Sequence, residues 1–138
     1  YPPEGSRGFA TYGRAGRFGE TPPDAHRVAS LENTLVLGMI ESPRAVAVAA
    51  EIIATPRLDG ILVGPADLAI ASGPDDPPLD IAIATVHAEL ARSTSLRMDI
   101  VGTREAAEKS FAAGADLVVY NLTSSLMQHL HHLVSPAR

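Results

Sequence analysis

A chain of 138 residues with 46% hydrophobic and 20% charged side chains has the balance of one packed globular domain, which excludes a disordered tail or a fibre. Its 11 basic residues stand against 16 acidic ones, and a formal charge of −5 disfavours a nucleic-acid backbone or an anionic bilayer as partner. Zero cysteines excludes disulfides, thiolate zinc sites, iron–sulfur clusters and a thiol nucleophile, and agrees with a reducing, cytoplasmic setting.

The chain opens on Tyr1-Pro2-Pro3 with no initiator Met, so it is expected to be a segment of something longer. Residues 1–24 are rich in Gly, Pro and Arg and hold neither helical nor strand periodicity, which predicts an ordered loop with a helical turn near Arg14 to Phe18. Pro22-Pro23-Asp24 is a helix entry, and Ala25 to Glu32 make two turns before Asn33 stops them. Residues 1–33 are therefore assigned to a loop and a short helix.

Four strand-helix units follow over residues 34–138. The apolar run Leu35 to Ile40 suits a strand buried on both faces. Ser42-Pro43 then provides an N-cap and a first helical residue, with Ala45, Val46, Ala49, Ile52 and Ile53 at helical spacing. A second strand, Ile61 to Val63, ends abruptly at Gly64-Pro65. Past the proline-rich loop Gly73 to Pro78, a plausible lid or subunit contact, Leu79 to Arg92 is the next helix, with Ala84, Ala88 and Ala91 along one small-residue face. Met98 to Val101 is a weaker third strand. Thr103 caps a helix through Ala113, and Gly114 stands where a glycine ends a helix. Leu117 to Tyr120 and Ser124 to Leu133 form the last strand and helix. None of these apolar runs is long enough to span a membrane.

Strand and helix alternate four times, which is the pattern of a parallel α/β protein. Periodicity fits either an open flavodoxin-like sheet or half of a (β/α)8 barrel, which takes about 250 residues. In both, chemistry gathers at the carboxyl ends of the strands. The first strand ends Met39-Ile40-Glu41-Ser42, and the second ends Val63-Gly64-Pro65-Ala66-Asp67, so two carboxylates stand at neighbouring strand tips, 26 positions apart in sequence. Parallel neighbours lie about 4.8 Å apart, close enough for both to reach one ion. Two carboxylates without His or Cys suit a hard cation, Mg²⁺ or Mn²⁺, with coordination positions left for water and substrate. The same spacing equally fits a general acid with a general base, a Glu41 that caps a helix or pairs with an arginine, or an Asp67 that caps a turn. Pro65 lacks an N–H and Gly64 permits close approach, so the amides of Ala66 and Asp67 can bind a carboxylate there; a plain tight turn is the alternative.

YPPEGSRGFA, then MIES, then LDGILVGPADLA, in this order and spacing, resemble the metal-dependent pyruvate aldolases of the HpcH/HpaI aldolase/citrate lyase family, such as 4-hydroxy-2-oxoheptanedioate and 2-keto-3-deoxy-sugar-acid aldolases. The resemblance covers essentially the whole chain, more weakly after Leu96. It implies a (β/α)8 barrel of which this chain is the second half, strands five to eight. It assigns Glu41 and Asp67 to a divalent metal (Mg²⁺, Mn²⁺ or Co²⁺) and the Gly64–Asp67 turn to the pyruvyl carboxylate. It also implies a lyase that stabilises a pyruvate enolate by Lewis-acid catalysis, and a homo-oligomer, specifically a hexamer. The family's catalytic histidine and enolate-stabilising arginine belong to the first half, so the isolated chain is expected to be inactive and to associate through its open sheet edges. Arg7, within the opening motif, is either a contact to an anionic substrate or a bracket for its loop.

The one lysine, Lys109, falls mid-helix, away from every strand tip, which leaves no imine-forming lysine in this chain. Met39 stands where many close relatives carry Gln, two positions before the ligand Glu. His26, His87, His129, His131 and His132 fall within helices and are assigned to surfaces or interfaces, and Arg14 and Arg17 to solvent or a subunit contact. Asp99 has no assigned role. The opening motif argues against a citrate- or malyl-CoA-type lyase, the alternative within the family; a non-catalytic binding or assembly module is the alternative outside it.

Overall fold

The structure, a computed structural model, describes residues 1–3 and 5–134, His132 without its side chain. It divides into two units, Tyr1–Leu35 and Val36–Arg138.

In the first unit the expected turn is a short 3₁₀ helix, Arg14–Gly19, in which Arg17 and Phe18 adopt left-handed φ angles of 51° and 56°. Helix α1 (Pro23–Glu32) begins on proline and ends at Asn33, whose backbone N–H and side-chain amide both donate to the Ala29 carbonyl at 3.0 Å. His26 departs from its expected surface position. It is buried, with its ring centroid 5.6 Å from that of Phe9 and 6.4 Å from that of Tyr1. The irregular opening segment folds these two aromatic rings back over α1, which helical spacing alone does not reveal.

The second unit is a four-stranded parallel sheet. In chain order it runs β1 (Leu37–Ile40), α2 (Pro43–Ala47), α3 (Ala49–Ile53), β2 (Gly60–Val63), α4 (Pro65–Ala71), α5 (Leu79–Leu90), β3 (Leu96–Val101), α6 (Arg104–Ala112), β4 (Leu117–Tyr120) and α7 (Leu122–Val134). The strands lie in the sheet in the order β1-β2-β3-β4, every pair parallel. That order has no reversal, so the sheet is not doubly wound as a flavodoxin-like fold would be. Right-handed crossovers between consecutive neighbours place their helices on one face, as in consecutive units of a (β/α) barrel.

Burial follows that geometry. Ile40 pairs with Val63 and Gly38 with Ile61, so Ile40, Ile61 and Val63 share the helix face. There they pack with Val46, Ala49, Ile53, Leu68, Val86 and Leu90 in one core. On the opposite face Met39, Ile100 and Val119 remain 51%, 40% and 40% exposed. The single helix expected after Ser42 is interrupted at Val48, whose N–H bonds the Ala45 carbonyl at 3.3 Å in a tightened turn. The resulting offset lets Val46, Ala49 and Ile53 all face the core. In α5 the side chains turned inward are Ala82, Val86 and Leu90, four residues apart, and the alanine row of Ala84 and Ala88 faces solvent. Helix α6 is bounded as its sequence predicts. Thr103 Oγ1 accepts from the Ala106 amide at 3.1 Å, and Gly114, at φ 91°, closes the other end with N–H bonds from Gly114 to Phe111 and from Ala115 to Ser110.

Candidate metal and keto-acid site

Glu41 follows directly on β1, and the Gly64 N–H donates to the Ile40 carbonyl at 3.0 Å, which carries the β1–β2 ladder one step past the strand ends. Glu41 and Gly64 therefore stand side by side on the face opposite the helices, two residues above Met39 and Leu62. Ser42 turns the chain away from the tip: its Oγ accepts from the Ala45 amide at 3.3 Å, and Pro43 opens α2.

Gly64 makes room for the carboxylate. A Cβ at this position would lie 3.1 Å from Glu41 Cβ, 3.2 Å from Glu41 Oε2 and 3.2 Å from Met39 Sδ. The Glu41 side chain thus lies across the β1–β2 seam, over a residue with no side chain of its own.

Past Gly64 the backbone enters α4 at Pro65. The first helical hydrogen bond runs from the Leu68 N–H to the Gly64 carbonyl at 2.9 Å. The amides of Ala66 and Asp67 precede it and have no carbonyl of their own helix to bond. Asp67 lies in the first turn, where the helix dipole favours its negative charge, and both Glu41 and Asp67 are exposed. Asp67 is accordingly not an N-cap, and Glu41 neither caps α2 nor pairs with an arginine: among the described residues neither carboxylate has a hydrogen-bond or ion-pair partner.

These features fit a divalent cation. Two free carboxylates are an oxygen donor set for Mg²⁺ or Mn²⁺, and the space over Gly64 is a cradle that a Cβ would fill. Among the described residues no cluster of three or more His, Asp or Glu surrounds such a point.

Arg7 belongs to the other unit. Its Nη2 donates to Tyr1 Oη at 2.7 Å, and its guanidinium carbon lies 4.6 Å from the centre of the Tyr1 ring. Arg14 and Arg17 are exposed, as are His129 and His131; the side chain of His132 lies outside the described residues. Lys109 pairs with Glu105 at 2.7 Å on the outer surface of α6.

Asp99, without an expected role, anchors a polar cluster behind β3. Arg97 pairs with Ile61 across the sheet and so shares the helix face, and Asp99, two residues on, joins it there. Arg97 forks onto Asp99 at 3.0 and 2.7 Å and donates to the Ala113 carbonyl at 2.8 Å, while His87 Nε2 approaches Asp99 Oδ1 at 3.7 Å from α5. His87 is thereby a half-buried packing residue rather than a surface one. Burial first, and then the Arg97 charge, lower its pKa below the ordinary value of 6.5, against the opposing pull of Asp99. A cavity of about 520 Å³ opens beside this cluster, lined by His87, Ser93, Arg97 and Asp116. The spacing Arg97-Met98-Asp99 on one strand is the sequence signal for the ion pair, since alternate residues share a face.

Residues 1–127 match the family model for the HpcH/HpaI aldolase/citrate lyase family. The chain belongs to that family. A 5-keto-4-deoxy-D-glucarate aldolase of Escherichia fergusonii is 37% identical over 132 residues, an alignment that covers 87% of this chain and 50% of that enzyme. The chain thus spans about half the length of this relative. The crystal structure of an HpcH/HpaI family protein from Burkholderia cenocepacia superimposes with a TM-score of 0.71 at 29% identity, over 96% of this chain and 52% of that one. The citrate synthase SbnG is similar in fold alone, with a TM-score of 0.65 at 21% identity over 80% of this chain and 47% of that one. No helix among the described residues is long and apolar enough to cross a membrane.

Proposed function

We propose that this chain carries the metal-binding half of an aldolase site, and that its four units are the second half, strands five to eight, of a (β/α)8 barrel. The reaction is reversible cleavage of a 4-hydroxy-2-oxo or 2-keto-3-deoxy acid to pyruvate and an aldehyde, in a cytoplasmic homo-oligomer, a hexamer. The observation that carries the reading is the pair of unpartnered carboxylates at adjacent strand ends, with Glu41 laid over Gly64.

Glu41 and Asp67 hold Mg²⁺, Mn²⁺ or Co²⁺. When bound, the ion supplies Lewis-acid stabilisation of the negative charge that develops on the keto oxygen. The amides of Ala66 and Asp67 receive the substrate carboxylate, oriented by the first turn of α4. Neither an acid-base histidine nor an enolate-stabilising arginine is assigned among these residues, so the chain alone binds pyruvate without exchanging its methyl protons.

Two variants test the reading by Mn²⁺ binding, followed through the relaxation of water protons. Glu41→Gln and Asp67→Asn are each expected to lose most of the Mn²⁺ affinity and, with it, metal-dependent pyruvate binding. Wild-type affinity in both variants would overturn the assignment.

A further inference from the structure

Met39 lies on the same sheet face as Glu41, two residues below it, and is 51% exposed. Its sulfur and Glu41 Oε2 each stand 3.2 Å from the same point, the place a Cβ on Gly64 would take. The two donor atoms are therefore no farther apart than twice that distance, and nothing from Gly64 separates them. A cation held by Glu41 over the β1–β2 seam has a thioether within reach.

We infer that Met39 is a soft donor beside the carboxylates and biases the site toward borderline and soft divalent cations at the expense of Mg²⁺. The inference rests on Glu41 holding a metal, as proposed above. The chemistry is that of ligand softness. A carboxylate oxygen serves hard and borderline ions alike, whereas a polarisable thioether interacts well with Cd²⁺ and contributes nothing to Mg²⁺, which keeps its oxygen shell. A residue of similar volume without sulfur would preserve the apolar floor next to Leu62, which pairs with Met39 across the strands, and remove only the soft donor. The preference therefore belongs to Met39 and not to the carboxylate pair.

The test uses the full chain carrying methyl-¹³C methionine, with the Met39 resonance assigned by its disappearance in Met39→Leu. Cd²⁺ is expected to shift the Met39 methyl signal, and Mg²⁺ to leave it in place; this readout is local, so exposed His129 and His131 do not contribute to it. In displacement of bound Mn²⁺, Met39→Leu is expected to need about tenfold more Cd²⁺ than the wild type, with its Mg²⁺ requirement changed less than about twofold. An unmoved Met39 signal under Cd²⁺, or an unchanged Cd²⁺-to-Mg²⁺ ratio in Met39→Leu, overturns the role of Met39 while Mn²⁺ binding by Glu41 stands. Retention of Mn²⁺ and Cd²⁺ binding in Glu41→Gln instead overturns the metal reading beneath it.

Discussion

The β1–β2 side of the sheet and its β3 side solve the same packing problem with opposite chemistry. Behind β1 and β2 the layer under the helices is apolar, with Ile40, Leu68 and Val86 fully buried and Ile61 and Val63 nearly so. Behind β3 the corresponding positions are Arg97 and Asp99, bonded to each other and to the end of α6. The candidate site stands on the apolar side, at the tips of β1 and β2. A pair of carboxylates proposed to converge on one ion would gain from a floor that does not shift, since close-packed apolar layers resist displacement of even a methylene. On the polar side a cavity lies beside the ion pair.

The largest effect expected from this contrast is at Asp99. Its replacement by Ala leaves the Arg97 guanidinium mostly buried without a counter-charge, which costs about 3–5 kcal/mol, whereas exchanging Arg97 and Asp99 together for apolar residues of similar volume restores most of the loss. Urea unfolding of the single and double variants measures both; a single variant as stable as the wild type would remove the energetic distinction between the two sides. Next is Leu68→Ala, which opens a cavity under α4 at the apolar side and is expected to cost about 2–5 kcal/mol by the same measurement. Because α4 carries Asp67, the variant is also expected to weaken Mn²⁺ binding, which links floor to site.

The smallest effect concerns pH. The folded state holds the His87 pKa below 6.5, so the unfolded chain takes up the proton first as pH falls. His87 therefore contributes stability that is fully present above about pH 6.5, the unfolded value, and is lost as pH drops through the depressed folded value. Thermal melts between neutral and mildly acid pH are expected to flatten in His87→Gln. An unchanged slope would assign the acid sensitivity to other groups.

Much of this was legible in residue order. Ser42, Thr103 and Gly114 mark helix ends through local hydrogen bonds and a positive φ, and such signals act over three or four residues. Glu41 and Asp67 were legible as candidates because each follows a short apolar run, and the ends of parallel strands are where such runs stop. Their lack of partners among the described residues, the seat that Gly64 provides for Glu41, and the approach of the Met39 sulfur were not legible. All three depend on which strand lies next to which and in what register. The same holds for His26, buried by rings from the irregular opening segment, and for His87 and Asp99, brought together from a helix and a strand.

The sequence by itself determined an alternating parallel α/β chain, its capped helices and two strand-tip carboxylates, because periodicity and capping are properties of neighbouring residues. Only the tertiary structure decided between a doubly wound sheet and consecutive barrel-like units, since strand order is set by contacts between residues far apart in the chain. It also placed Glu41 over Gly64 beside Met39, because a one-residue change in register would turn those side chains to the opposite face.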